Sequence, residues 1–158
     1  MASTEGLVGK WGLRVIFSII LGFIDAAFFY VAFGVLLPSI IEQLYMQLGL
    51  TPPPTPAPGS RILLITAITG VFIMARILAG TPLSPVFRTA GILLSLNLAI
   101  AASGGELAIS VSGIDVGEGV QLDFQLDLTP LYAGIILFIV FPSILGSFID
   151  YYLGEASR

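Results

Sequence analysis

The stretch VIFSIILGFIDAAFFYVAFGVLL, residues 15–37, is apolar at nearly every position. A helix over it reaches about 35 Å, enough to cross a hydrocarbon core of roughly 30 Å. Lys10 and Arg14 precede it. The apolar run is nevertheless far longer than the roughly 7–15 residues of a signal-peptide core, so it reads as a retained transmembrane helix.

The rest of the chain repeats the pattern. Its 158 residues are 56% hydrophobic and 10% charged, against roughly 25% charged in ordinary soluble domains. A soluble protein of this length has too little polar surface to cover so much apolar material. The expected class is an all-α integral membrane protein, folded as a single membrane domain over 1–158. Further apolar segments at 62–80, 86–103 and 131–152 complete a four-helix transmembrane bundle. Between the first two lies TPPPTPAPGS, residues 51–60, a proline-rich outer loop expected to be extended. Before it, SIIEQLYMQLGL either prolongs the first helix or lies along the interface. GTPLSP, residues 80–85, is short enough to make the second and third helices a tight antiparallel hairpin, its prolines stopping one helix and starting the next.

The period changes after the third helix. In VQLDFQLDL, residues 120–128, Val120, Leu122, Phe124, Leu126 and Leu128 alternate with Gln121, Asp123, Gln125 and Asp127. Period two is the signature of a strand. Leu107, Ile109 and Val111 alternate upstream, and GIDVGEG between them suits a turn. These features predict a β-hairpin over 106–128, between helices three and four.

Basic residues set the expected orientation. With the N-terminus in the cytoplasm, Lys10, Arg14, Arg76, Arg88 and Arg158 lie on or near that side and Arg61 alone lies outside. Both termini are then cytoplasmic, and residues 38–61 and 104–130 are outside, in a cell membrane. Glu42, Glu106, Asp115, Glu118, Asp123 and Asp127 all fall on the outer side.

Several kinds of chemistry are excluded for this chain alone. It has no cysteine and no histidine, which removes disulfides, the common zinc sites, histidine-ligated haem and Cys/His nucleophiles. Its one lysine, Lys10, is not within a span, so a Schiff base inside the membrane is excluded too. No basic patch suits nucleic acid. Asp115 and Glu118 offer oxygen ligands for Ca²⁺, but their spacing fits no compact calcium loop. No catalytic residue, metal or cofactor is expected. An aspartyl pair of Asp25 with Asp150 is disfavoured because the two differ in depth by about 10 Å.

Asp25 is the residue that needs an account, since a carboxylate near the bilayer midplane is costly. Three readings compete: a proton- or cation-binding group, a structural ion pair with Arg76, or a protonated acid hydrogen-bonded to Asn97. A depth gap of about 8–10 Å separates Asp25 from Arg76, which the arginine only partly bridges. The structural readings are favoured. Gly91, Ser95, Ala99 and Ser103 form a stripe of small residues on helix three, with Ser18, Gly22 and Ala26 forming a shorter one on helix one. Such stripes let helices approach closely. The functional expectation is a non-catalytic small membrane subunit that assembles, with itself or other membrane proteins, through these stripes and the outer hairpin. The alternative is an oligomeric cation or proton channel or transporter using Asp25 and an acidic outer vestibule.

Overall fold

The computed structural model describes the backbone of residues 4–49, 57–102, 104, 108–115 and 121–156, and the side chains within it except those of 4–10, 108–124, 126, 155 and 156. It is mostly helical, and four of its helices are long and apolar enough to cross a membrane. Helix α1 starts as Thr4–Phe29, passes through a π-helical segment Tyr30–Leu36 and continues as Leu37–Gln47. Helices α2 and α3 are Pro58–Ile77 and Leu83–Ala102. Helix α4 is Thr129–Ile135, a second π segment Ile136–Val140, and Phe141–Ala156.

Helix α1 runs past Pro38, so the segment beyond it prolongs the helix. A proline inside a helix removes one donor, leaving the carbonyl four residues back without its partner. Here that carbonyl belongs to Gly34, and the Arg61 guanidinium donates to it at 3.0 Å through Nη2. The Ser39 hydroxyl donates to the Val35 carbonyl at 2.7 Å. Side chains thus serve the backbone where the helical ladder is interrupted, and the π turn accommodates the local change of pitch. In α4 the second π segment likewise lies just ahead of a proline, Pro142.

Several expected helix boundaries move. Helix α2 begins at Pro58 rather than Ile62, because a proline at the first helical position loses no hydrogen bond. Residues 58–60 of the proline-rich stretch are therefore helical, and 51–56 lie outside the described residues. At the other end of α2, Gly80 adopts φ +90°, a conformation that favours glycine and ends the helix. Helix α3 starts three residues later, and the Ser84 hydroxyl donates to the Ala75 carbonyl at 2.9 Å, pinning the α2–α3 turn.

Between α3 and α4, β1 (Ala108–Asp115) and β2 (Gln121–Asp127) are antiparallel neighbours. The register sets Ile109 opposite Leu126, Val111 opposite Phe124 and Ile114 opposite Leu122, with a shift between Val111 and Ile114. Gly113 falls in that shift, where a strand glycine tolerates an extra residue. Residues 116–120, between the two strands, lie outside the described residues. Gln125 and Asp127 are exposed, and Leu128 is buried. The side chains of Leu122, Phe124 and Leu126, and all of Val120, Glu106, Leu107 and Glu118, lie outside the described residues.

Helices α1, α2 and α3 pack as neighbours, and α4 packs on α3. Phe72 of α2 is fully buried at the centre, stacked on Phe29 of α1 at 5.1 Å between ring centroids, with Phe33 stacked on Phe29 in turn. Most other large apolar side chains face outward, including Phe17, Phe28, Leu63, Val86, Phe138 and Leu153. In water such a surface would drive aggregation; in lipid it is the ordinary exterior of a bundle.

Candidate functional site: the Asp25–Arg76 pair and its cleft

Two glycines determine how closely the helices approach. A Cβ on Gly22 would sit 2.6 Å from the Ile73 Cα, so the α1 and α2 backbones touch there. A Cβ on Gly91 would meet the Phe72 ring at 2.9 Å. Gly91, Ser95 and Ala99 are all buried between helices of this chain. At these three positions the small-residue stripe of α3 packs within the chain, one of the two partners the sequence left open. Ser103 lies outside the described residues.

One turn beyond the Gly22–Ile73 contact on each helix stand Asp25 and Arg76. Arg76 donates from Nε to Asp25 Oδ2 at 2.7 Å and from Nη2 to Oδ1 at 3.0 Å, a bidentate pair. With the helices antiparallel, three residues outward on one and three inward on the other put the two Cα atoms about 9 Å apart in depth. The sequence estimate of the gap therefore stands, but its consequence does not. Side chains in a helix lean toward its N-terminus. Asp25 leans down α1 and Arg76 leans up α2, so both reach into the gap. Of the three sequence candidates, the structure brings Asp25 and Arg76 together and leaves Asn97 on the exposed side of α3. Asn97 is no partner for Asp25.

The pair is not sealed. Side-chain exposure is 18% for Asp25 and 33% for Arg76, because a cleft of about 410 Å³ reaches it from the end of the bundle that carries the α2–α3 turn. All four helices contribute: Asp25 from α1, Ala75 and Arg76 from α2, Ser84, Pro85 and Arg88 from α3, and Ser147, Asp150 and Tyr151 from α4. Arg88 Nη1 lies 3.8 Å from Asp150 Oδ2, and the Asp150 side chain is 77% exposed. Sequence reasoning weighed Asp150 only as an aspartyl partner of Asp25 and Arg88 only as an orienting charge, and missed that the two stand together. The signal was present, since an arginine one turn into α3 and an aspartate near the end of α4 must both come to the bundle end that carries the turn. Among the described residues, no group of three or more acidic side chains is placed to hold a metal ion.

Chemically, the arrangement is two acid–base pairs around a polar cleft, one tight and bidentate, the other loose. No protein-family model, curated protein or solved structure matches the chain.

Proposed function

We propose that this chain is a non-catalytic membrane subunit whose Asp25–Arg76 pair locks α1 to α2, and which assembles with itself or with other membrane proteins through its outer β-hairpin. The observation that carries this reading is the bidentate geometry of that pair. The carboxylate that would otherwise argue for a proton or cation path has both oxygens engaged by one guanidinium. Breaking such a pair leaves an uncompensated charge in a low-dielectric setting, which favours a structural role. The same contact weighs against the channel reading, whose central residue it engages.

For assembly, support comes from the strands. β1 and β2 pair with each other in a two-stranded sheet, and such a unit is marginal in water without cover. Its edges are templates for strand addition. With the small-residue stripe of α3 enclosed, the hairpin is the better candidate for the contact between subunits. In this reading both termini and the cleft are cytoplasmic and the hairpin is outside, an orientation that the distribution of basic residues supports.

The test is the mass of the particle in nanodiscs, for the intact chain and for a variant with residues 106–128 replaced by a short Gly/Ser linker. The expected result is a defined multimer or complex that the variant reduces to single protomers. An intact chain that is monomeric and partnerless overturns the assembly reading. A closed ring that conducts cations and loses flux in Asp25→Asn would establish the channel instead.

A further inference from the structure

A second, looser pair stands at the mouth of the cleft, between α3 and α4. Arg88 and Asp150 face each other at 3.8 Å, inside the range of an ion pair but beyond that of a hydrogen bond. Each therefore keeps its hydrogen-bonding capacity for something else. Several other polar groups of the cleft have partners within the chain: Arg76 Nε and Nη2 donate to Asp25, the Ser84 hydroxyl to the Ala75 carbonyl, and the Ser147 hydroxyl to the Ser143 carbonyl. A guanidinium and a carboxylate, side by side and not hydrogen-bonded to each other, line a cleft of about 410 Å³, a volume within the roughly 300–1,000 Å³ of small-ligand sites.

Position narrows the ligand. The cleft lies at the level where α2 ends and α3 begins, among the ends of helices that span the bilayer, and there lipid headgroups sit. Val86, Leu145, Ile149 and Leu153 are exposed and apolar on the adjoining surfaces of α3 and α4, where acyl chains would lie. The four charges of the cleft, Asp25, Arg76, Arg88 and Asp150, sum to zero, so the site suits a ligand that is itself neutral overall. Arginine is the side chain best matched to a phosphodiester. A carboxylate acceptor suits a primary ammonium, which donates three hydrogen bonds; a trimethylammonium donates none and is held by aromatic cages instead.

We propose that the cleft is a binding site for the headgroup of an amine-bearing zwitterionic phospholipid of the phosphatidylethanolamine class, with the phosphate on Arg88 and the ammonium on Asp150. This rests on the reading of the chain as a bilayer-embedded, non-catalytic subunit and is independent of how many copies assemble.

The test reconstitutes the full chain in nanodiscs of equal parts phosphatidylethanolamine, phosphatidylglycerol and phosphatidylcholine, transfers it to mild detergent, and counts retained lipid per protomer by native mass spectrometry. Phosphatidylethanolamine is expected to be retained over both others. Arg88→Gln and Asp150→Asn should each lower that retention about tenfold, the scale of one charge-assisted hydrogen bond. Both side chains are at least one-third exposed, so unchanged thermal unfolding is the expected control. No retained lipid, or equal retention of the three, overturns the proposal. Phosphatidylglycerol held as well as phosphatidylethanolamine, and sensitive to Arg88→Gln alone, overturns the zwitterionic assignment in favour of a simple phosphate site. Excess soluble O-phosphoethanolamine should fail to displace the lipid; ready displacement would transfer the site to a soluble ligand and overturn the lipid assignment. A monomeric particle that still retains phosphatidylethanolamine would defeat the assembly reading and leave this one standing, and a multimer without lipid would do the reverse.

Discussion

At the scale of single residues, the chain turns on how one carboxylate is kept in a mostly apolar setting. Asp25 accepts two hydrogen bonds from Arg76, and removing one partner of such a pair costs about 3–5 kcal/mol when burial is complete. The cleft leaves this pair partly exposed, so Asp25→Asn or Arg76→Met alone should lower stability by about 1–3 kcal/mol. The double variant should recover much of that loss, because no charge is left unpaired; thermal unfolding of all three in detergent reads the coupling. Additive losses would show that the contact contributes nothing. A second carboxylate, Asp127, works outside the spanning segments. Its Oδ1 accepts the Thr129 backbone N–H at 2.8 Å, at the first residue of α4, and hydrogen bonds from Thr129 hold its carboxyl below the ordinary value. A carboxylate with a depressed pKa stabilises the folded chain above its unfolded pKa of about 4, and the effect fades as pH falls through the lower folded value. Amide exchange at Thr129, corrected for intrinsic rates, should therefore accelerate below about pH 4 in the native chain. Asp127→Asn should remove that pH dependence, and a profile unchanged by the substitution would contradict it.

At the scale of elements, the close contact of α1 with α2 places the pair. An alanine at Gly22 gains up to about 1 kcal/mol in helix propensity but forces a methyl to 2.6 Å from the Ile73 Cα. Overpacking of that kind costs about 1–3 kcal/mol, so the clash wins. Gly22→Ala should lower the unfolding temperature and shrink the Asp25–Arg76 coupling measured in the same background. Gly70→Ala, where nothing lies within 4 Å, should be neutral or mildly stabilising. Equal behaviour of the two variants would mean that α1 and α2 do not approach at Gly22. The same contact explains what the sequence could and could not reveal. Four spans were legible because apolar length alone decides them. The ion pair was legible as a possibility and was underrated, since depth was counted along the axes without the lean of both side chains toward each other. The passage of α1 through Pro38 was legible only as one of two alternatives. It depends on Arg61 reaching the Gly34 carbonyl from another helix, a contact between residues 27 positions apart in sequence. The destination of the Gly91–Ser95–Ala99 stripe was equally hidden, because a small-residue face specifies close packing without specifying against which helix.

At the scale of the whole molecule, the distribution of charge and the direction of the helices make one joint claim. Helix α2 starts next to Ala57 and ends two residues before Ala79, so these two exposed alanines lie about 30 Å apart along its axis, near opposite faces of a bilayer. Basic residues gather at the Ala79 end, where Arg76 and Arg88 flank the turn and Arg14 and Lys10 approach along α1, and in the proposed orientation that end faces the cytoplasm. The chain contains no cysteine, so a single introduced thiol is labelled without background. Ala57→Cys should react with a membrane-impermeant maleimide in intact cells, and Ala79→Cys only after permeabilisation. The opposite pattern would invert the orientation, move the cleft to the outer leaflet and set the hairpin inside the cell, leaving the bundle itself untouched. Reaction of both thiols from one side would be more damaging, because α2 could then not span, and the Asp25–Arg76 pair would have no low-dielectric surroundings to justify it. The positive-inside pattern and the need to shelter that pair both depend on α2 crossing the bilayer, so the labelling of two alanines tests the orientation and the architecture together.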